Sequence, residues 1–182
     1  MVTPALGGAS ALLFLNRREA ATVDAFTSEF IPSEEGSPGA TEAGVTIYID
    51  RALAGFMRDL QSTYQRGLAA LNALTAERFG TTFSGATGEQ RGELMTEIDA
   101  LARNRPEHFL GQFFRIVREH TVQGYFGDPA YGGNRETVGW KLVGFPGAQW
   151  GYSEEQMRPG TDSRTIPILT VGDLYARIGD AQ

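Results

Sequence analysis

Apolar positions recur at helical spacing over most of the first two thirds of the chain. Ala20, Val23, Phe26, Thr27 and Phe30 share one face, behind Asn16, whose side chain suits an N-cap. Pro32 stops this helix, and residues 33–44 form a turn-rich loop. Ile49, Leu53, Phe56, Leu60 and Tyr64 make a second stripe, which Leu68, Leu71 and Leu74 continue with drift. The pattern predicts one long helix or two abutting ones, with Gly55 and Gly67 weakening an unbroken rod. Thr87 and Gln90 have capping-box spacing before a helix buried through Leu94, Ile98 and Leu101. Pro106 is placed in the first turn of a further helix whose inner face is Phe109, Phe113, Ile116, Val117 and His120. Periodicity disappears at Gly124. The stretch "GYFGDPAYGGNRETVGW" (124–140) is too glycine-rich for a regular helix and too aromatic for an idle linker. Irregular sequence continues to about residue 160, and the tail has room for a short strand and a last helical turn or two.

These elements predict a single all-α domain over residues 1–182. It comprises an apolar N-terminal arm (1–16), a helical body (17–123), a Gly/aromatic docking segment (124–160) and a C-terminal tail (161–182). An irregular stretch of that length inside a compact domain is uncommon and usually functional.

Composition narrows the partners. The 182 residues are 41% hydrophobic, enough for a core, and the net charge of -6 speaks against a nucleic-acid groove. There is no cysteine and there are only two histidines, so most metal sites and all thiol chemistry fall away. The apolar start "MVTPALGGASALLFL" lacks a leading positive charge and is shorter than the ~20 residues of a membrane span. Arg17 and Arg18 come after it, the wrong order for a twin-arginine leader. It is expected to be a packing arm, with a remnant of a targeting segment as the alternative. Contact with a membrane is then indirect, and the cytoplasm is expected unless a leader has been removed.

Candidate chemistry is sparse. His108 and His120 lie about 120° apart around a helix, so they do not converge on one metal. His120 is expected to be a buried histidine bonded to backbone, and His108 a surface residue. Glu34/Glu35 and Glu154/Glu155 are adjacent pairs that point apart. Arg118 and Glu119 beside His120 suggest a polar network, structural or at an interface. No G-x-S-x-G occurs, and "AYGGNR" lacks the lysine and the strand of a phosphate loop. Asp128-Pro129 and Gly132-Gly133-Asn134 are turn signals that would hold the surrounding aromatics rigidly. Trp140 and Phe145 are expected in the core, and Tyr125, Tyr131 and Trp150 at an interface.

Two stretches carry a resemblance. "REHTVQGYFGDPAYGGNRETVGWKLVGFPG" (118–147) and "EAATVDAFTSEFIPSEEGSPGATEAGVTIYIDRALAG" (19–55) resemble the gluconate 2-dehydrogenase subunit 3 family, over about residues 17–157. The resemblance implies a non-catalytic small subunit with no cofactor of its own. Its partner would be an FAD-binding catalytic subunit of the glucose–methanol–choline (GMC) oxidoreductase type. A cytochrome c subunit or another acceptor would take the electrons. Family members are thought to support folding, stability and export of the large subunit, many through a twin-arginine signal that this chain does not show. The docking and loop-shaping set then comprises His120, Gly124, Tyr125, Phe126, Asp128, Pro129, Tyr131, Gly132, Gly133, Asn134, Arg135, Trp140, Phe145 and Trp150. Two other readings remain: a stand-alone carbohydrate-binding module stacking sugars on Trp140, Trp150 and the tyrosines, and an enzyme using His120 with Glu119 or Asp128.

Overall fold

A computed structural model describes residues 11–179. Seven α-helices lie among them: α1 (Arg17–Phe30), α2 (Val45–Ala54), α3 (Gln61–Phe79), α4 (Gly88–Asn104), α5 (Phe109–Phe126), α6 (Val138–Val143) and α7 (Val171–Gly179). The described residues hold no strand beyond isolated bridges, and the fold is all-α. No described helix is long and apolar enough to cross a membrane.

Local chemistry sets the helix ends. Asn16 Oδ1 accepts from the N–H groups of Arg18 and Glu19 at 2.9 and 3.0 Å, and the Glu19 carboxylate accepts in return from the Asn16 N–H. Thr87 and Gln90 make the second capping box, each satisfying donors that a helix start leaves orphaned. The long apolar run splits at Gly55, whose φ of -116° and ψ of -111° end α2. The chain turns there, so Phe56 leaves the predicted stripe and stands 68% exposed. Gly67 breaks nothing. It lies in α3 against the Phe113 ring, where a Cβ would collide with the ring, and so lets α3 and α5 approach closely.

The core is aromatic and centred on α5, which packs against α1, α2, α3 and α4. The Phe26 ring lies 5.3–6.1 Å from those of Phe30, Phe83, Phe113 and Phe114. Burying Phe26 and Phe113 fully is worth about 1.5–3 kcal/mol each.

Two boundaries differ from the sequence pattern. α5 starts at Phe109 with His108 at its N-cap, so Pro106 lies outside the first turn. The Pro106 carbonyl instead accepts from Gln112 Nε2 and Arg115 Nη2 at 2.9 and 3.1 Å. α5 also continues to Phe126, so Gly124, Tyr125 and Phe126 form its last turn and not the start of the loop.

Of the N-terminal arm, residues 1–10 lie outside the described residues, as do residues 180–182 of the tail. The rest of the arm is tied down. The N–H groups of Leu13, Phe14 and Leu15 donate to the buried Asp50 carboxylate at 2.7–3.0 Å, and Leu15 enters the core. At the other end, Ala148 N–H donates to Leu169 O and Leu169 N–H to Pro146 O, at 2.7 and 3.1 Å. This short parallel bridge closes the loop between them and leads into α7.

Candidate functional site

The segment after α5 is a frame of hydrogen bonds. Asp128 caps a 3-10 turn (Pro129–Tyr131) by accepting from the Ala130 N–H at 2.9 Å. Its other oxygen accepts from the Val171 N–H at 2.8 Å, which fixes the start of α7. Gly132 comes next with φ 104°. Gly133 then passes so close to the Gly124 carbonyl that a Cβ would collide with it.

Asn134 is the hub. It is fully buried, in a left-handed conformation with φ 44°. Its N–H donates to Gly124 O at 2.8 Å, its Nδ2 to Gly127 O at 2.8 Å, and its Oδ1 accepts from the Gly139 N–H at 2.9 Å. One side chain thus joins the end of α5 to the start of α6. Glu136 and Thr137 also have positive φ, 56° and 57°. Three non-glycine residues in this region within four positions mark stored strain, of the kind found at clamps and binding elements. The Arg135 N–H donates to Ala43 O at 2.9 Å and ties the frame to the loop before α2.

The aromatics divide. Trp140 is buried as expected, with Nε1 donating to Phe126 O at 2.6 Å. Phe145 stacks edge-on against Trp140, 5.4 Å between centroids, but remains 46% exposed, since it covers Trp140 from outside. Tyr125, expected at an interface, is fully buried, and its hydroxyl donates to Pro38 O at 2.6 Å. It therefore shapes the segment from within. Tyr131 and Trp150 are exposed, at 57% and 69%.

His120 is buried, but its partner is a side chain. Nδ1 and the Tyr64 hydroxyl share a 2.8 Å hydrogen bond, and the rings lie parallel. Burial holds the imidazole below its ordinary value, against an opposing pull from Glu119, and pushes the Tyr64 hydroxyl up. Glu119 accepts from Gln123 Nε2 at 3.2 Å, and Asp128 is taken up by Ala130 and Val171. Neither is brought to His120 as a hydrogen-bond partner. His108 is half-buried, not a free surface residue. Among the described residues no group of three His, Asp or Glu could hold a metal ion.

Some of the surface has no counterpart among the sequence expectations. Tyr48, Phe56, Val122, Gln123, Phe126, Gly127 and Tyr131 line an open, mostly apolar groove of about 390 Å³ beside α5. Tyr48 donates its hydroxyl to Gln123 Oε1 at 2.9 Å along its floor. A signal for it is present in the sequence: Val122 and Phe126 form an i,i+4 apolar pair, and Val122 falls about 140° from Val117 around the helix.

Fold and site together define an all-α domain closed by an aromatic segment that spends Asp128, Asn134 and the Trp140 indole N–H on its own frame. The chain belongs to the gluconate 2-dehydrogenase subunit 3 family, whose model matches residues 17–147. The match stops short of the expected limit near residue 157, so Trp150 lies outside it. No curated protein and no solved structure matches the chain.

Proposed function

We propose that this chain is the non-catalytic small subunit of a bacterial FAD-dependent sugar or polyol dehydrogenase. It docks on a GMC-type flavoprotein and supports that subunit's folding and stability. The flavoprotein binds FAD and oxidises a sugar hydroxyl, and a cytochrome c subunit or another acceptor takes the electrons. Family membership over residues 17–147 carries this reading. The geometry supports it, because the polar groups a catalyst would use are engaged elsewhere: Asp128 on two backbone N–H groups, Asn134 on two backbone partners, His120 on Tyr64. Among the groups the segment leaves to solvent are Tyr131, Leu142, Phe145 and Trp150, and tyrosine and tryptophan are residue types that anchor interfaces.

Co-expression tests the proposal. The dehydrogenase subunit is produced with and without this chain, and soluble yield, bound FAD and turnover are compared. All three should fall without the chain; equal values sink the idea. The carbohydrate-binding reading loses one of its two tryptophan platforms, because Trp140 is buried and bonded through Nε1.

A further inference from the structure

The groove beside α5 does not end at its apolar part. Val122 and Gln123 also belong to a second, shallower depression lined by Arg115, Arg118 and Glu119. The two form one surface along the outer side of α5. From Arg118 to Phe126 it spans about 12 Å, at the helical rise of ~1.5 Å per residue. Phe56, Val122 and Tyr131 rise from its apolar end, all exposed. An apolar concavity flanked by such residues gains from being covered.

Charge says what covers it. Arg118 is exposed, and its side chain makes no hydrogen bond or ion pair among the described residues. Its neighbours are occupied: Arg115 donates to Pro106 O, and Glu119 accepts from Gln123. The chain carries a net charge of -6, so a guanidinium at the end of an apolar groove runs against the overall sign. It selects a local carboxylate and not an acidic surface at large. Tyr131 is also held in advance, by the Asp128 cap on one side and the left-handed Gly132 on the other. Little ordering is left to be done on binding.

Building on the reading of this chain as a subunit, we propose that this face of α5 docks a segment of the flavoprotein subunit with apolar side chains and a carboxylate. The apolar side chains seat between Phe56, Val122 and Tyr131. The carboxylate pairs with Arg118, one helical turn or about 6 Å from Val122 along α5.

The test uses the full chain and the FAD-containing dehydrogenase subunit, with affinity measured by biolayer interferometry. Val122→Glu and Arg118→Glu should each weaken association by about tenfold or more. Arg118→Lys should retain most of the affinity, and Tyr175→Ser, on exposed α7, should leave it unchanged. Thermal melting of the isolated variants should match wild type, since all three positions are exposed. If the wild-type complex forms and both Glu variants bind within about twofold of it, this surface is wrong and the subunit reading stands. An equal loss with Tyr175→Ser also overturns the assignment, as does a dimer of this chain that Val122→Glu dissolves and that blocks the flavoprotein. If wild type forms no complex, the subunit reading itself falls.

Discussion

Replacing Asn134 with alanine removes one buried side chain, two hydrogen bonds and a residue type suited to the backbone there. The Gly127 carbonyl loses its donor and the Gly139 N–H loses its acceptor, at 2.8 and 2.9 Å. Leaving each backbone group unsatisfied costs about 1–3 kcal/mol. The third loss is conformational. At φ 44° the residue is left-handed, which asparagine tolerates and alanine resists by roughly 1–2 kcal/mol. Allowing for some relaxation of the loop, the expected cost is about 3–5 kcal/mol, a large part of a domain's typical ~5–15 kcal/mol. Glycine at the same position loses both hydrogen bonds but none of the backbone fit. It gives back about 0.4–1 kcal/mol through a freer unfolded chain, so Asn134→Gly should be the milder variant by about 0.5–1 kcal/mol. Urea unfolding tracked by far-ultraviolet circular dichroism reads both. With a slope of about 2 kcal/mol per molar, the alanine midpoint should fall by about 1.5–2.5 M. An alanine variant within about 1 kcal/mol of wild type would refute the hydrogen-bond argument. A glycine variant weaker than the alanine one would refute the conformational one.

The core gives two further expected outcomes. Gly67→Ala drives a methyl into the Phe113 ring and should cost about 2–3 kcal/mol, read as a lowered melting temperature; unchanged melting would show that α3 and α5 can part freely. His120 is held neutral by burial, so below its ordinary value of about 6.5 the unfolded chain takes up a proton that the folded chain resists. Stability should therefore fall as pH drops from about 7 to about 5.5 and be indifferent to His120 above about 7. In His120→Gln the slope over that window should flatten, and parallel slopes would remove His120 as the cause.

The features legible in the sequence are the local ones. Asn16 announces its N-cap and Thr87 its capping box because a cap is written within four residues. Gly55 announces a break because no long-range contact is needed to make one. Sequence and structure part where tertiary contacts decide. Gly67 has the look of a weakness, and its meaning is supplied by Phe113, far along the chain on α5. Tyr125 has the look of a surface anchor, but its hydroxyl is claimed by Pro38, 87 positions back. Asn134 reads as a turn former, which it is, yet nothing local shows that its side chain bridges two helices. The α5 groove is hidden for a related reason: Tyr48, Val122 and Tyr131 come from three separated stretches. Spacing alone puts Phe56 on the inner stripe, and only the backbone at Gly55 turns it outward.

The short bridge between residues 146–148 and Leu169 has a practical consequence. The loop it closes is fastened at its base by backbone bonds and by Gln149, whose Nε2 donates to both Pro146 O and Pro167 O. A loop tied at its neck can change length cheaply, about 0.6 kcal/mol for each doubling. Gly160 lies far from the neck with φ 89° and open space around it. That makes it an engineer's insertion point, where a fluorescent reporter or an affinity handle would report on the assembled protein without entering the helical body.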